Sequence, residues 1–180
     1  MELDISVACV TNHGDMTDYD ELVMKATAGI AIIPGVEISS YEGDFIVFSA
    51  DIDYLRTLKA VQSLPDRGER PDHTAVVWVH PFAGVTGGLG TGEDYLSRVA
   101  PRVDGIEVYN GNWPDEEASG LARRIADNYG LAELGGSDTH RRDSLFRCWT
   151  ETEDIEKPEG LIQAIMQRKT KATRPPLSSQ

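Results

Sequence analysis

The sequence predicts an α/β fold built on a mostly parallel sheet. Short apolar runs alternate with stretches of helical spacing, and polar residues repeatedly stand where the apolar runs end. The chain has 180 residues, 40% of them hydrophobic, so one domain with an ordinary buried core can form. We expect a single domain over residues 1–173 and a flexible tail over residues 174–180.

The first half of the chain predicts three strands and two helices. The first helix begins at Thr17 or Asp18, either of which can cap it, and ends at Gly29. The second helix covers residues 52–64, where apolar residues recur at helical spacing. The predicted strands are residues 5–10, 30–33 and 45–48, and a Pro34–Gly35 turn closes the second of them.

In the second half of the chain, predicted strands and helices alternate more regularly. Residues 65–73 are polar and rich in turn formers, which predicts a surface loop. Residues 84–92 form a glycine-rich loop without the Lys-Ser/Thr ending of a phosphate-binding P-loop, so they are a weak nucleotide signal. Strands are predicted over residues 75–79, 105–109, 131–134 and 146–150, and helices over residues 93–99, 115–129 and 158–168.

The composition excludes several functional classes. The chain carries 17 Lys and Arg against 30 Asp and Glu, so its net charge of −13 excludes general coating of nucleic acid. No apolar run approaches the roughly 20 residues of a membrane helix, which excludes an integral membrane protein. The sequence shows no signal peptide and only two cysteines, so we expect a cytoplasmic protein.

Side chains with metal-binding chemistry stand at the ends of five apolar runs. They are His13, Glu37, His80, Asn110, and Asp138 with His140. Because the carboxyl ends of parallel strands share one face of an α/β fold, these residues are expected to meet there. Imidazoles and carboxylates bind zinc, manganese and iron, and such ions can hold a phosphate and generate hydroxide. Glu37 is the best candidate to bridge two ions, because a carboxylate is costly to bury unless it is paired.

Each of these residues also has an ordinary structural interpretation. His80 could be a hydrogen-bonded strand end, and Asp138 with His140 could form a turn and a helix cap. His13 could cap or line a loop, and Asp44 could be a turn acid. Trp113 either walls a pocket or packs in the core. The residues alone leave these alternatives open.

Five segments resemble motifs of the PHP family, the polymerase and histidinol phosphatase domain. They are residues 11–13 (TNH), 33–39 (IPGVEIS), 79–81 (VHP), 105–110 (GIEVYN) and 136–140 (GSDTH). The resemblance implies a distorted (β/α)7 barrel, similar to a TIM barrel, with a cluster of one to three divalent ions (Zn, Mn or Fe). It also implies a metal-dependent phosphoesterase that acts on a small phosphorylated metabolite, a nucleotide or an oligonucleotide.

The same resemblance implies a role for each matching residue. His13 and His140 would bind the third metal of the family's cluster, and Asp138 the first. Glu37 would be the bridging carboxylate, and His80 would bind the second metal. Glu37, His80 and Asp138 are therefore the candidate catalytic residues.

The sequence departs from the family pattern at its start. No histidine precedes His13, so the family's opening His-x-His motif and first β-α unit are expected to be missing, through truncation or natural loss. Asn12 stands where relatives usually carry Asp. Asp44 falls near the position of another histidine ligand. A barrel without its first strand exposes sheet edges, which we expect a homodimer to cover.

The leading hypothesis is therefore a metal-dependent phosphoesterase with a phosphorylated small molecule or nucleotide as substrate. Asp44, Asn110 and Arg141 are additional candidate site residues; Arg141 or Arg142 could hold the substrate phosphate, or both could be ordinary surface arginines. The alternative is a non-catalytic or metal-depleted PHP-like module with an interaction role. A third hypothesis is a barrel metallohydrolase that acts on amide bonds.

Overall fold

The structure, a computed structural model, describes residues 5–25, 29–82, 92–153, 155 and 157–175. Most of the predicted glycine-rich loop and the last five residues of the predicted tail lie outside these ranges. The described strands are β1 (Val7–Val10), β2 (Ala31–Ser40), β3 (Gly43–Ser49), β4 (Thr74–Trp78), β5 (Gly105–Asn110), β6 (Ala132–Gly136), β7 (Trp149–Thr152) and β8 (Thr170–Thr173). The described helices are α1 (Thr17–Lys25), α2 (Ile52–Thr57), α3 (Glu93–Val99), α4 (Glu116–Tyr129) and α5 (Pro158–Met166).

Local chemistry sets the ends of the helices. The carboxylate of Asp115 accepts a hydrogen bond from the backbone of Ala118 and caps α4. The same helix ends at Gly130, whose φ of +66° is a left-handed conformation that favours glycine. Helix α5 begins with Pro158, whose missing N–H costs nothing in the first turn.

Strands β1 to β6 form one curled sheet in chain order, with the shape of a half-barrel. Strand β1 runs parallel to β2, and β4 runs parallel to β5, which runs parallel to β6. Strand β3 is antiparallel to both of its neighbours. Three of the five pairings are therefore parallel, as a mostly parallel sheet requires, and β3 is the one strand that runs the other way. Only Tyr41 and Glu42 connect β2 to β3, and such a short connection can form a hairpin but not a parallel crossover.

This single reversal still leaves one functional edge on the sheet. Because two antiparallel pairings restore the direction, β1, β2, β4, β5 and β6 all end at the same edge. The amino end of β3 lies at that edge as well. Residues that follow the other strands and residues that begin β3 are therefore neighbours.

Two layers of apolar side chains cover the two faces of the sheet. In β4 all five residues are buried, because alternate side chains enter different layers. One layer packs Val76 and Trp78 against α2, α3 and α4. The other packs Ala75 and Val77 against α5. A cavity of about 1130 Å³ opens between β1 and β6, and residues of both strands line it.

Several element boundaries differ from the prediction. Strand β2 continues through Pro34–Gly35, where the sequence predicted a turn. The helix predicted to reach residue 64 ends at Thr57. The backbones of Ala60 and Gln62 instead bond to Ser39 at 2.7 and 3.1 Å, so the chain pairs with the end of β2. Strand β8 was not predicted; it pairs with β7 beside β6.

The longest described helix, α4, has 14 residues, and none of the described helices is long and apolar enough to cross a bilayer.

Candidate functional site

The candidate site lies at the edge of the sheet where β1, β2 and β4 end. Strand β1 leads directly into His13, and Glu37 lies within β2 beside it. The backbone holds these two residues in register. The Glu37 N–H donates to the carbonyl of Asn12 at 3.0 Å, and the N–H of Gly14 donates to the carbonyl of Glu37 at 3.1 Å. The parallel pairing of β1 and β2 thus fixes which imidazole stands beside Glu37.

The carboxylate of Glu37 lies between two imidazoles. Its Oε1 is 3.2 Å from Nε2 of His80, and its Oε2 is 3.7 Å from Nε2 of His13. The Glu37 side chain is only 10% exposed, whereas that of His13 is 52% exposed. The two carboxylate oxygens therefore face different partners, one buried and one open to solvent.

His80 is the most constrained of these residues, in both its backbone and its side chain. It follows β4 with a φ of +29°, a left-handed conformation that costs free energy in a residue other than glycine. Its Nδ1 is 3.9 Å from the carboxylate of Asp44, which begins the reversed strand β3. Burial alone would lower the pKa of His80, but the hydrogen bond to Glu37 and the surrounding carboxylates raise this pKa to about 9.

Glu107 supports the site from inside the sheet, and the sequence interpretation did not select it. Its Oε2 accepts hydrogen bonds from the backbone N–H of His80 at 2.8 Å and from the Asn110 amide at 2.9 Å. Burial raises the pKa of Glu107 to about 7, despite these hydrogen bonds. The available signal was an acid inside the apolar strand segment GIEVYN, an expensive position for a charge.

The Glu107 carboxylate lies so close to β6 that residue 136, the first of the segment 136–140, has to be glycine. A Cβ added at Gly136 would lie 2.3 Å from the carboxylate of Glu107. Any side chain at that position would displace Glu107. The glycine therefore allows the Glu107 carboxylate to occupy the space between β5 and β6.

A second group of donors lies where β5 and β6 end. The Asn110 amide lies 3.4 Å from a carboxylate oxygen of Asp138. The other carboxylate oxygen of Asp138 is 3.4 Å from Nδ1 of His140. Asp138 has a φ of +46°, so it shares the left-handed backbone of His80. Asn112 connects the group further, because its amide contacts both the Asp138 carbonyl and the His140 ring.

The structure thus brings the predicted residues together as two neighbouring groups. The first contains His13, Glu37, Asp44 and His80, and the second contains Asn110, Asp138 and His140. Asn110 and His80 both contact Glu107, which links the groups. Arg141 is exposed beside the short 3-10 helix Arg142–Ser144. Trp113 is 52% exposed and lines a pocket, so the interpretation as a pocket wall fits it better than core packing.

The donor chemistry of both groups suits a divalent ion. Imidazole nitrogens and carboxylate oxygens are ligands of zinc, manganese and iron, and the separations around Glu37 are short. However, no three His, Cys, Asp or Glu side chains within the described ranges form a complete ion-binding group. The residues therefore match a divalent ion in donor type, and they supply fewer donors than a protein site of three or four ligands.

Comparison with protein families gives one match to this chain. Residues 116–170 match the profile of the PHP-associated family, PHP_C. This segment contains Asp138 and His140. No curated protein matches the chain.

Several solved structures share the fold. PsfC from Pseudomonas syringae PB-5123 is 21% identical, with a TM-score of 0.70 over 94% of this chain and 77% of PsfC. A proposed metal-dependent phosphoesterase from Bifidobacterium adolescentis ATCC 15703 is 12% identical, with a TM-score of 0.61 over 91% of this chain and 86% of that protein. At these identities the likeness shows the fold.

Proposed function

We propose that this chain, which is related to the PHP family, is a metal-dependent phosphoesterase. One observation carries the proposal: at the carboxyl-end edge of the sheet, the two oxygens of Glu37 face two different imidazoles. A carboxylate in this position can serve two ions or one ion and a histidine. The structural similarity to the Bifidobacterium protein, itself a proposed metal-dependent phosphoesterase, supports the same reaction class.

The position of each residue suggests either a metal-binding role or a supporting role. Glu37 with His80 or His13 would contribute donors to one divalent ion, with Asp44 beside them, and Asp138 with His140 would contribute to a second; further donors such as water would complete each ion's ligands. Such an ion supplies Lewis acidity and a reactive water at neutral pH. Glu107 would keep the backbone of His80 and the amide of Asn110 in place.

The same site would take a small phosphorylated metabolite or a nucleotide. Because the net charge is −13, approach of a polyanion is disfavoured over most of the surface, and a small ester meets less repulsion. Arg141, three residues after Asp138, would neutralise part of the phosphate charge. We also propose that the fold is part of a distorted (β/α)7 barrel, which the curled sheet of six strands supports.

A non-catalytic module is the second candidate. The observation that favours it is the lack of any complete ion-binding group within the described part of the chain. In that case the site would bind ions weakly and would not turn over an ester.

Metal content and hydrolysis, measured on the same preparation, separate the two candidates. The purified chain is analysed for bound metal and assayed with p-nitrophenyl phosphate and added Mn²⁺. We expect bound ions and turnover, with turnover reduced more than about 100-fold in Glu37→Ala and His80→Ala, since even the loss of a residue that supports a metal ligand costs about 10- to 100-fold. His73→Ala is the matched control, because His73 is exposed in the loop before β4.

Each outcome decides between the candidates. Bound metal without turnover of p-nitrophenyl phosphate or of nucleotide esters would favour the non-catalytic module. Absence of both metal and turnover would contradict the phosphoesterase proposal. An equal loss of activity in His73→Ala would show that the effect of His80→Ala is not local.

A further inference from the structure

A smaller pocket lies beside the candidate site, on the side of α4. Its volume is about 240 Å³, and it shares His80, Glu107 and Asn110 with the lining of the large cavity. A group bound in this pocket would therefore touch the same side chains that support the donor groups. The volume is below the roughly 300–1,000 Å³ of pockets that take a whole drug-sized ligand, so it suits one ring of a larger molecule.

An exposed tryptophan forms the outer wall of this pocket. Trp113 is 52% exposed, although an indole ring has a large apolar area that is normally buried. Its backbone is held firmly, because the side-chain oxygen of Asn110 accepts hydrogen bonds from the N–H groups of Trp113 at 3.0 Å and Asn112 at 2.8 Å. Phe82 and Pro114 line the pocket as well. A half-exposed aromatic wall on a backbone that is held by hydrogen bonds favours stacking with another flat ring.

The charges around the pocket disfavour an anion. Within the described part of the chain, the lining contains no Lys or Arg, and it contains the carboxyl groups of Glu107 and Asp115. The imidazole of His80 also lines it, but its Nε2 contacts Glu37 at 3.2 Å. A phosphate would meet two carboxyl groups here, whereas an uncharged polar ring can donate hydrogen bonds to Asp115 and stack against Trp113.

We propose that this pocket binds an uncharged planar ring, such as a nucleobase or an aromatic alcohol, as the organic part of the phosphate ester. The inference rests on the proposed phosphoesterase function, and it names the substrate class: esters of flat ring compounds rather than of linear or saturated alcohols. Trp113 is then a specificity-determining residue. The phosphate group would lie on the other side of His80, beside Glu37.

Binding of an uncharged ring can be measured without any turnover. Ligand-observed NMR titrations compare adenosine with ribose, which lacks the planar ring. We expect saturable binding of adenosine and none of ribose in the same concentration range. Trp113→Ala should weaken adenosine binding about fivefold or more, while Trp113→Phe should stay within about twofold, because a phenyl ring still stacks. Tyr41→Ala is the matched control, since Tyr41 is 75% exposed in the turn between β2 and β3.

Steady-state kinetics then test whether the ring of the substrate binds in this pocket during turnover. For the active chain with Mn²⁺, Trp113→Ala should lower kcat/KM for phenyl phosphate about fivefold more than for glycerol phosphate. Equal effects on both esters, or adenosine binding unchanged in Trp113→Ala, would overturn the inference and leave the phosphoesterase proposal standing. Adenosine binding that depends on Trp113, without turnover of either ester, would uphold the ring site and contradict the proposed reaction. Far-ultraviolet circular dichroism checks that each variant is folded.

Discussion

Glu107 shows how a single side chain can organise the candidate site. It lies in β5, accepts hydrogen bonds from His80, which follows β4, and from Asn110, and fills the space left by Gly136 in β6. Three neighbouring strand ends are therefore held by one buried carboxyl group. Its role is to position other residues, because it binds the backbone of His80 and leaves the imidazole to face Glu37.

Substitution of Glu107 should separate its hydrogen bonds from its charge. Glu107→Ala leaves the His80 N–H and the Asn110 amide without their acceptor, which should lower the free energy of unfolding by about 2 kcal/mol or more. Glu107→Gln keeps an acceptor oxygen, and it should cost less than about 1 kcal/mol at pH 7. Urea unfolding of both variants measures the difference. Equal losses for Ala and Gln would show that the hydrogen bonds are not what Glu107 contributes.

The sequence could predict Glu37 and His80 as neighbours but not Glu107. In the sequence, His80 stands at the end of an apolar run, and Glu37 follows a Pro-Gly pair that predicted a turn; although β2 in fact continues through that pair, the pattern drew attention to Glu37. Glu107 lies inside a strand, and its partners are a backbone N–H and an amide from other segments. Only the register between β5 and β6 and the missing side chain at Gly136 show that the carboxyl group has room. Local pattern does not contain that information.

Helix α3 packs on the sheet through Leu96 and Val99, and one aromatic residue, Tyr95, attaches it further. Tyr95 packs edge-on against Trp78, with ring centroids 5.7 Å apart, and its hydroxyl donates to the carbonyl of Glu42 in the turn between β2 and β3. Burial, followed by the charge of Glu42, raises the pKa of Tyr95 from 10 to about 12. The neutral phenol is therefore the form that stabilises the docked helix.

The contribution of Tyr95 to stability should depend on pH in a defined window. Because the pKa is higher in the folded chain than in the unfolded one, the contribution is complete below pH 10 and is lost as the pH rises through about 12. Tyr95→Phe should lower the free energy of unfolding by about 1 kcal/mol at pH 7. The gap between the wild type and the variant should shrink above pH 10.

Denaturant unfolding at a series of pH values checks this expectation. Tyr41→Phe is the control, because Tyr41 is 75% exposed and should show no gap at any pH. A gap for Tyr95→Phe that stays constant from pH 7 to 11.5 would contradict the link to the phenol.

At the level of elements, chain order predicted positions well and directions less well. The helix over residues 93–99 and the long helix before Gly130 follow from spacing and caps, which are local. The direction of β3 depends on a two-residue connection, and the end of α2 depends on pairing with Ser39 in β2. For α2 a contact with a distant segment outweighed the local helical spacing, whereas the reversal of β3 follows from the short connection itself.

The whole molecule is a curled sheet whose functional edge collects residues that are far apart in the sequence. His13, Glu37, His80 and Asp138 follow or belong to four different strands. Arg174, the first residue of the predicted tail, stacks on the Tyr109 ring at 4.3 Å and pairs with Glu116, so it is attached to the outside of the sheet. The expected homodimer and the domain boundaries stay predictions.

Ion binding at this edge should stabilise the whole fold, because only the folded chain brings those strands together. If the ion binds the native state alone, a concentration of 100 times its Kd adds about 2.7 kcal/mol to the free energy of unfolding. For a chain of this length that corresponds to a rise in Tm of roughly 5–10 °C.

Thermal unfolding with EDTA and with Mn²⁺ should show this rise in the wild type. Glu37→Ala should lose most of the rise, whatever its own Tm, because both donor contacts of Glu37 disappear. His73→Ala should keep it. A rise that is undiminished in Glu37→Ala would place the ion elsewhere on this acidic chain and would contradict the assignment of Glu37.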